Sequence, residues 1–168
     1  MNSSIAYLSY SVLCVAIDDA DNDLKNEIVM TGTLNNIQAC EWNGTAWIGT
    51  LIAFTPVKVK SVVIGDADND LQNEIVVGLL NTTNEVEVYE WNGNTWIGTV
   101  IADTPIDVNS VACGDADNDA KNEVVIGMGY NSSEKEVRMY KYASKACIVS
   151  PNSLYVYGQV ELEATVDD

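Results

Sequence analysis

Histidine is absent from this chain of 168 residues, and basic residues are scarce, since Lys and Arg total 8 against 25 Asp and Glu. The formal net charge is −17. Binding to nucleic acid depends on Lys and Arg that neutralise phosphates, so the composition argues against a nucleic-acid partner. Without histidine the commonest general base is missing, and no Ser or Cys has the surroundings of an activated nucleophile. The composition therefore favours a protein that is not an enzyme.

Long hydrophobic runs are also lacking. The apolar stretch 5–17 is interrupted by Ser9, Ser11 and tyrosine, so it is too short and too polar to span a membrane or to be an uncut signal peptide. We expect either that a secretion signal was removed or that the stretch belongs to a longer chain. The four cysteines show no CxxC spacing, which argues against zinc and leaves disulfide pairing open. They are Cys14, Cys40, Cys113 and Cys147.

A nine-residue acidic stretch occurs three times, at 19–27, 66–74 and 115–123, with carboxylates at positions 1, 3, 5 and 9 of each copy. Two carboxylates about 4 Å apart repel by roughly 1 kcal/mol in bulk water and about 4 kcal/mol at a partly shielded surface. A hard divalent cation surrounded by oxygen ligands turns this repulsion into attraction. The pattern therefore predicts a calcium-binding loop in each copy, and about three Ca²⁺ ions.

Around the acidic loops the sequence repeats with a period of roughly 50 residues, which falls in the range of propeller blades. In the second repeat we predict strands at 61–65, 75–80, 85–91 and 95–101, with a type I′ turn at Asn92-Gly93. The first repeat gives strands at 31–34, 37–42 and 47–52 around Asn43-Gly44. The third keeps a strand at 136–142 but lacks the Asn-Gly turn and the second Trp.

The predicted fold class is all-β, with propeller-type blades of four antiparallel strands and a ring that one chain does not close. The predicted segments are an N-terminal strand at 1–10, repeats at 11–57, 58–106 and 107–146 (the last partial), and a C-terminal strand extension at 147–168. Residues 1–10 and 143–168 could form an irregular fourth blade, several chains could close a ring, or the repeats could stay open. Unpaired edge strands accept further strands, so we expect self-association, with the C-terminal extension as a candidate donated strand.

The segment that runs from Val63 through the second loop to Gly78 resembles the FG-GAP and VCBS repeats. These repeats form the blades of integrin-α-like β-propellers and of many microbial surface proteins, and the resemblance covers roughly residues 11–142. In that family the side chains at loop positions 1, 3, 5 and 9 and the carbonyl at position 7 hold Ca²⁺. The resemblance thus implies the ligands Asp19, Asp21, Asp23, Lys25 (backbone) and Glu27; Asp66, Asp68, Asp70, Gln72 (backbone) and Glu74; and Asp115, Asp117, Asp119, Lys121 (backbone) and Glu123.

The loops depart from the family pattern at two positions. At position 9, Glu replaces the usual Asp. Position 6, usually Gly, carries a side chain in every copy: Leu24, Leu71 or Ala120. We still expect the loop to close, because position 4 is Asn in all three copies and Asn tolerates the left-handed region.

Two further patterns concern ligands and modification. A Trp-Asn-Gly-x-x-Trp motif places Trp42 with Trp47 and Trp91 with Trp96. These rings could stack on sugars, but paired Trp across a hairpin also stabilises the sheet, by up to about 1 kcal/mol per pair. Sequons for N-glycosylation occur at four residues, the last three of which fall at predicted turns: Asn2, Asn43, Asn81 and Asn131.

These patterns predict an extracellular or cell-surface, calcium-stabilised repeat protein with a structural or adhesive role. Extracellular calcium suits modules with dissociation constants of about 10⁻⁴–10⁻³ M. The expected partners are other copies of the chain, forming rings or filaments through terminal strands, and a glycan or surface protein. One alternative is a lectin-like carbohydrate-binding module that uses the Trp side chains. A second is a non-catalytic part of a larger surface enzyme.

Overall fold

The computed structural model describes residues 4–5, 9–80, 85–129, 135–143 and 161–162. Within these residues the regular structure consists of β-strands only, which confirms the all-β prediction. The strands are β1 Val12–Asp18, β2 Glu27–Gly32, β3 Asn36–Trp42, β4 Trp47–Phe54, β5 Val59–Gly65, β6 Glu74–Leu79, β7 Val86–Trp91, β8 Trp96–Ala102, β9 Val108–Gly114, β10 Glu123–Gly129, β11 Lys135–Lys141 and β12 Glu161–Leu162.

The strands form three antiparallel sheets, and each strand pairs with its neighbour in sequence. The first sheet contains β1 to β4, the second β5 to β8 and the third β9 to β12. The four-stranded repeat unit predicted from the sequence is thus present in the first two sheets. Among the described residues no sheet closes on itself.

The third sheet takes its fourth strand from the C-terminal extension predicted at 147–168. Only two residues of that extension, 161–162, are described, and they pair with Tyr140 and Lys141 of β11 in the same chain. The rest of the extension lies outside the described residues. Of the N-terminal strand predicted at 1–10, residues 4–5 and 9–10 are described and are not part of a strand.

The second strand of the first repeat was predicted wrongly. We expected it at 31–34, whereas β2 begins at Glu27, directly after the acidic loop, where it pairs with Asp18. The chain turns just after Gly32, with Asn35 at φ 58°. The run 31–34 contains the β-favouring Thr and the apolar Leu, but the hairpin turn to β3 occupies its second half.

The type I′ turns were also wrong, although both hairpins exist. Trp42 pairs with Trp47, so the loop between them has four residues, and only Gly44 has a positive φ, of 93°. The side chain of Asn43 explains this geometry, because its Oδ1 accepts hydrogen bonds from the backbone N–H of Thr45 and Ala46, both at 2.9 Å. The second hairpin repeats the arrangement at Asn92 and Gly93.

The middle sheet is buried on both faces. Successive side chains of a strand point to opposite faces, so Ile75 and Val77 of β6 pack in the core shared with the first sheet, while Val76 packs in the core shared with the third. All three are fully buried. Each such side chain contributes about 1.5–3 kcal/mol relative to an exposed position. The three sheets therefore stack in series through two hydrophobic cores.

Equivalent strands of neighbouring repeats lie side by side, because β5 contacts both β1 and β9. Each acidic loop joins the first strand of its sheet to the second. Stacking the sheets in this way brings all three acidic loops to the same end of the molecule, which positions the candidate site.

Candidate metal centres

The first carboxylate of each loop closes the loop backbone. Asp19 Oδ1 accepts the backbone N–H of Asp23 at 3.0 Å, and Asp19 Oδ2 accepts that of Leu24 at 2.9 Å. The same pair of bonds measures 3.0 and 3.1 Å at Asp66, and 3.1 and 3.0 Å at Asp115. The carboxylate at position 5 likewise accepts the backbone N–H at position 7 in every loop. The three copies therefore fold alike, as their sequences predict.

Two residues in each loop have left-handed backbone. The prediction for position 4 is confirmed, with φ of 62°, 68° and 63° at Asn22, Asn69 and Asn118. Position 6 is left-handed as well, which explains the usual preference for Gly there. Left-handed backbone costs a residue with a side chain about 1–2 kcal/mol. The residues that bear this cost are Leu24, Leu71 and Ala120, at φ of 71°, 73° and 66°.

The glutamate at position 9 is the most deeply buried acid of each loop. Glu27, Glu74 and Glu123 are 3%, 1% and 0% exposed. One carboxylate oxygen, Oε2, accepts the backbone N–H of position 2 at 2.8, 2.8 and 2.9 Å respectively. The other, Oε1, is buried without a hydrogen-bond partner among the described residues in all three loops. A buried acceptor without a donor costs about 1–3 kcal/mol, and more when it is charged. A cation beside Oε1 would remove that cost.

The electrostatics of the first two loops point the same way. The pKa of Glu74 is raised to about 8, chiefly by burial and further by the negative charges of Asp68, Asp70 and Asp66. The hydrogen bond from the Ala67 N–H acts in the opposite direction and lowers this pKa. Burial also raises the pKa of Asp21 and of Glu27. These carboxylates are thus unfavourable as bare anions, and a bound cation would favour their ionised forms.

Three groups of carboxylates bring one ligand atom per residue within 4.8 Å of one another, and each group could hold a metal ion. All members belong to the predicted ligand sets: Asp19, Asp21 and Glu27; Asp66, Asp68 and Asp70; Asp115, Asp117 and Glu123.

The remaining predicted ligands lie outside these groups. Asp23 pairs with Lys25 at 2.6 Å and Asp119 with Lys141 at 2.8 Å. Glu74 lies beside its group, because it accepts the backbone N–H of Ala67, which lies between Asp66 and Asp68. The position-7 carbonyls of Lys25, Gln72 and Lys121 stay predicted ligands.

Sequence reasoning missed one position on the third strand of each sheet. Cys40, Tyr89 and Tyr140 pair with Ile28, Ile75 and Val124 respectively. The residue after each lies beside the acidic loop, and these residues are Glu41, Glu90 and Lys141. The pairing of Tyr89 with Ile75 places Glu90 beside the end of the second loop, and burial, followed by the charges of Asp68 and Asp70, raises the pKa of Glu90. The signal was available, because Glu-Trp-Asn-Gly occurs in the first two repeats and Lys-Tyr replaces it in the third.

Asparagines at positions 4 and 8 join each loop to the next. Asn22 Oδ1 accepts the backbone N–H of Asn73 at 2.7 Å, and Asn73 Nδ2 donates to the carbonyl of Asp19 at 2.9 Å. Asn69 and Asn122 repeat both bonds between the second and third loops, at 2.7 and 2.8 Å. The three candidate centres are therefore mechanically linked, a feature that the repeat pattern alone does not indicate.

The four Trp residues and Asn43 lie at the hairpins between the third and fourth strands of the first two sheets, at the same end as the acidic loops, since Trp42 and Trp91 directly follow Glu41 and Glu90. The rings of Trp42 and Trp47 pack on each other with centroids 5.7 Å apart, and those of Trp91 and Trp96 with centroids 5.4 Å apart. Asn43 lies in an exposed turn. The other predicted glycosylation sites, Asn2, Asn81 and Asn131, lie outside the described residues.

Comparison with protein-family models gave no match for this chain, and comparison with curated proteins gave none either. The resemblance to FG-GAP and VCBS repeats therefore depends on the loop residues themselves and stays a prediction. Within the described part of the chain, no helix has the length and apolar character needed to cross a membrane.

Proposed function

We propose that this protein is an extracellular, calcium-stabilised repeat protein with a structural or adhesive role, whose sheets are blades of propeller type. The observation that carries the proposal is the buried Oε1 of the position-9 glutamate, which lacks a hydrogen-bond partner in every loop. The donor set consists of carboxylate and carbonyl oxygens only, which hard cations prefer. Ca²⁺ accepts 6–8 oxygens in flexible geometry, whereas Mg²⁺ demands a near-octahedral shell and keeps several waters.

The residues that would hold the ion are the aspartates at positions 1 and 3 and the glutamate at position 9, with the aspartate at position 5. A bound Ca²⁺ would neutralise these carboxylates and fix the junction between the first and second strands of each sheet. Because Asn22 and Asn69 join successive loops, an ion in one loop would also restrain the next. Calcium thus serves to rigidify the array.

The structural role is supported by the outer face of the first sheet. Val12, Val15 and Ile17 of β1 are 43%, 58% and 64% exposed. By strand register their counterparts in the second sheet are Val59, Val62 and Ile64, which are buried in the core between the first and second sheets. In both interfaces within the chain, the apolar residues of the first strand of a sheet are covered by the preceding sheet.

The opposite face of the third sheet supports the same role, as the other half of such an interface. Val125 and Val137 correspond by register to Val76 and Val86 of the second sheet, which are buried against the third sheet. Val137 is 70% exposed, and Ala116, in the loop position of the buried Ala67, is also exposed. From these two faces we infer that the partner is a second copy of this chain, joined head to tail.

Thermal unfolding in millimolar Ca²⁺ and in EDTA tests the calcium role. A ligand that binds only the folded state raises its stability by RT ln(1 + [L]/Kd), which is about 1.4 kcal/mol per site at 10 times Kd, so we expect a lower midpoint in EDTA that added Ca²⁺ restores. Asp66→Ala with Asp70→Ala should remove part of this response. Asp18→Asn, at an exposed acid outside the three groups, should keep it. An equal midpoint in both buffers would contradict the proposal.

The carbohydrate-binding alternative and the alternative of a part of a larger surface enzyme stay predictions. For the first, the distinguishing result would be glycan binding that Trp91→Ala or Trp96→Ala abolishes in a protein that is still folded.

A further inference from the structure

The third acidic loop contains a lysine side chain among its carboxylates. Lys141 Nζ lies 2.8 Å from Asp117 Oδ2, 2.8 Å from Asp119 Oδ2 and 3.6 Å from Glu123 Oε1. It therefore contacts three of the four carboxylates predicted to bind the cation, including the buried oxygen that has no hydrogen-bond partner. Charge-assisted hydrogen bonds of this length are roughly twice as strong as neutral ones.

The other two loops have an acid where the third has this lysine. Strand register makes Glu41 and Glu90 the counterparts of Lys141. The repeat thus changes from a negative to a positive side chain at one fixed position beside the loop. All three loops contain three Asp and one Glu at the predicted ligand positions. The charge next to these carboxylates therefore differs in the third repeat because Lys141 replaces a glutamate.

The lysine of the first loop lies differently. Lys25 Nζ contacts Asp23 Oδ2 at 2.6 Å and Glu41 Oε1 at 2.9 Å, so it touches one predicted ligand, outside the group formed by Asp19, Asp21 and Glu27. Among the described residues no Lys or Arg forms an ion pair with that group. The second loop has Gln72 at the position of Lys25, and Gln72 Nε2 donates to Asp70 Oδ2 at 3.0 Å.

We infer that the ammonium group of Lys141 takes the place of the cation in the third loop, so that the protein holds two calcium ions and one built-in positive charge. The inference rests on the proposed calcium function. For Ca²⁺ to enter the third loop, Lys141 must leave its carboxylates, and its charge then repels the ion. The third repeat thereby needs no calcium ion of its own, whereas the first and second repeats each do.

Calorimetric titration with CaCl₂, paired with native mass spectrometry, tests this inference on the full chain. The wild type should bind two ions, with any third at least about tenfold weaker. Lys141→Glu restores the side chain of the other repeats and should bind three. Lys141→Met removes the ammonium without adding an acid and should also gain a third ion. Lys60→Glu makes the same change in net charge at an exposed residue of β5, at the end of that strand away from the acidic loop, and leaves Lys141 in place, so it should bind two.

The outcomes separate this inference from the proposed function. Three ions of equal affinity in the wild type, or no third ion in Lys141→Glu and Lys141→Met, would overturn the role of Lys141 and leave calcium binding intact. A wild type that binds no Ca²⁺ at millimolar concentration would overturn the proposed function itself.

Discussion

At the residue scale, the position-9 glutamate connects stability to the cation. In EDTA, burial disfavours the ionised form of Glu74, whose pKa it raises to about 8, whereas in Ca²⁺ the ionised carboxylate is a ligand. Glu74→Gln should therefore act with opposite signs in the two buffers. We expect it to lower the free energy of unfolding by about 1–3 kcal/mol in Ca²⁺ and to leave it unchanged or raise it in EDTA. Urea unfolding measures both values.

The control for this substitution is Asp18→Asn, which removes a carboxylate of the exposed residue directly before the first loop. It should change stability little in either buffer. A loss of stability from Glu74→Gln that is the same with and without Ca²⁺ would mean that the glutamate acts only through its bond to the Ala67 N–H.

The left-handed residue at loop position 6 offers a second substitution. Ala120 has φ 66°, where Gly has no steric penalty, so Ala120→Gly should stabilise the protein by about 0.5–1 kcal/mol after the added entropy of the unfolded chain is counted. Ala46 is an exposed turn residue whose φ is not positive, so Ala46→Gly should destabilise the protein slightly. Thermal unfolding of both variants in EDTA checks the comparison, and an Ala120→Gly protein no more stable than Ala46→Gly would contradict it.

At the same scale, the sequence predicted what lies within a loop better than what lies around it. The left-handed Asn at position 4 follows from local chemistry, and so does the convergence of the carboxylates. Glu41, Glu90 and Lys141 could not be assigned to the loops in this way, because strand register alone brings them there. The inter-loop bonds of Asn73 and Asn122 were missed for the same reason, since they exist only once the sheets are stacked.

At the element scale, strand pairing was largely predictable from alternating apolar residues and turn signals, while strand ends and turn types were not. The predicted strand at 75–80 differs from β6 by one residue at each end, and the one at 85–91 differs from β7 by one residue at its start. By contrast, β2 begins four residues before the predicted strand because pairing with β1 resumes as soon as the loop closes. The type I′ prediction failed because the side chain of Asn43 caps a four-residue loop instead.

The close approach of the second and third sheets gives a prediction at this scale. A Cβ at Gly78 of β6 would lie 2.5 Å from Val108 Cγ1 and 3.0 Å from Val111 Cγ1. Gly78→Ala should therefore force these sheets apart and cost about 1–3 kcal/mol. The matched control is Gly127→Ala at the same register position of the third sheet, where the nearest atom, Ser110 Cβ, would be 3.7 Å away.

Gly127→Ala should leave the free energy of unfolding unchanged or raise it, because Gly in a strand is itself unfavourable by about 0.5–1 kcal/mol. Chemical unfolding of dilute protein measures both variants. Equal destabilisation by Gly78→Ala and Gly127→Ala would show that sheet stacking is not the cause.

At the scale of the whole molecule, the array ends in two exposed apolar faces that correspond to its own internal interfaces. If a second copy covers them, charge on either face should prevent association without unfolding the chain. Ile17→Glu and Val137→Glu should each shift the mass measured by light scattering toward the single chain, at protein concentrations where the wild type associates. Leu34→Glu, at an exposed turn residue, should leave the mass unchanged.

Val15→Glu gives an independent check on the same face as Ile17. A wild type that stays a single chain at all concentrations in Ca²⁺ would contradict head-to-tail assembly. The sequence predicted self-association only in general terms, through edge strands. The exposed outer faces of the first and third sheets are a different surface, and they become apparent only once the sheets are stacked.

The central claim is that the buried Glu27 Oε1 and Glu74 Oε1 are cation ligands. A crystal structure determined in millimolar Ca²⁺, with anomalous difference maps, tests it directly. We expect an anomalous peak about 2.3–2.6 Å from each of these two oxygens, and Lys141 Nζ beside Glu123 Oε1. Maps in which both glutamate oxygens have only water or no neighbour would contradict the account.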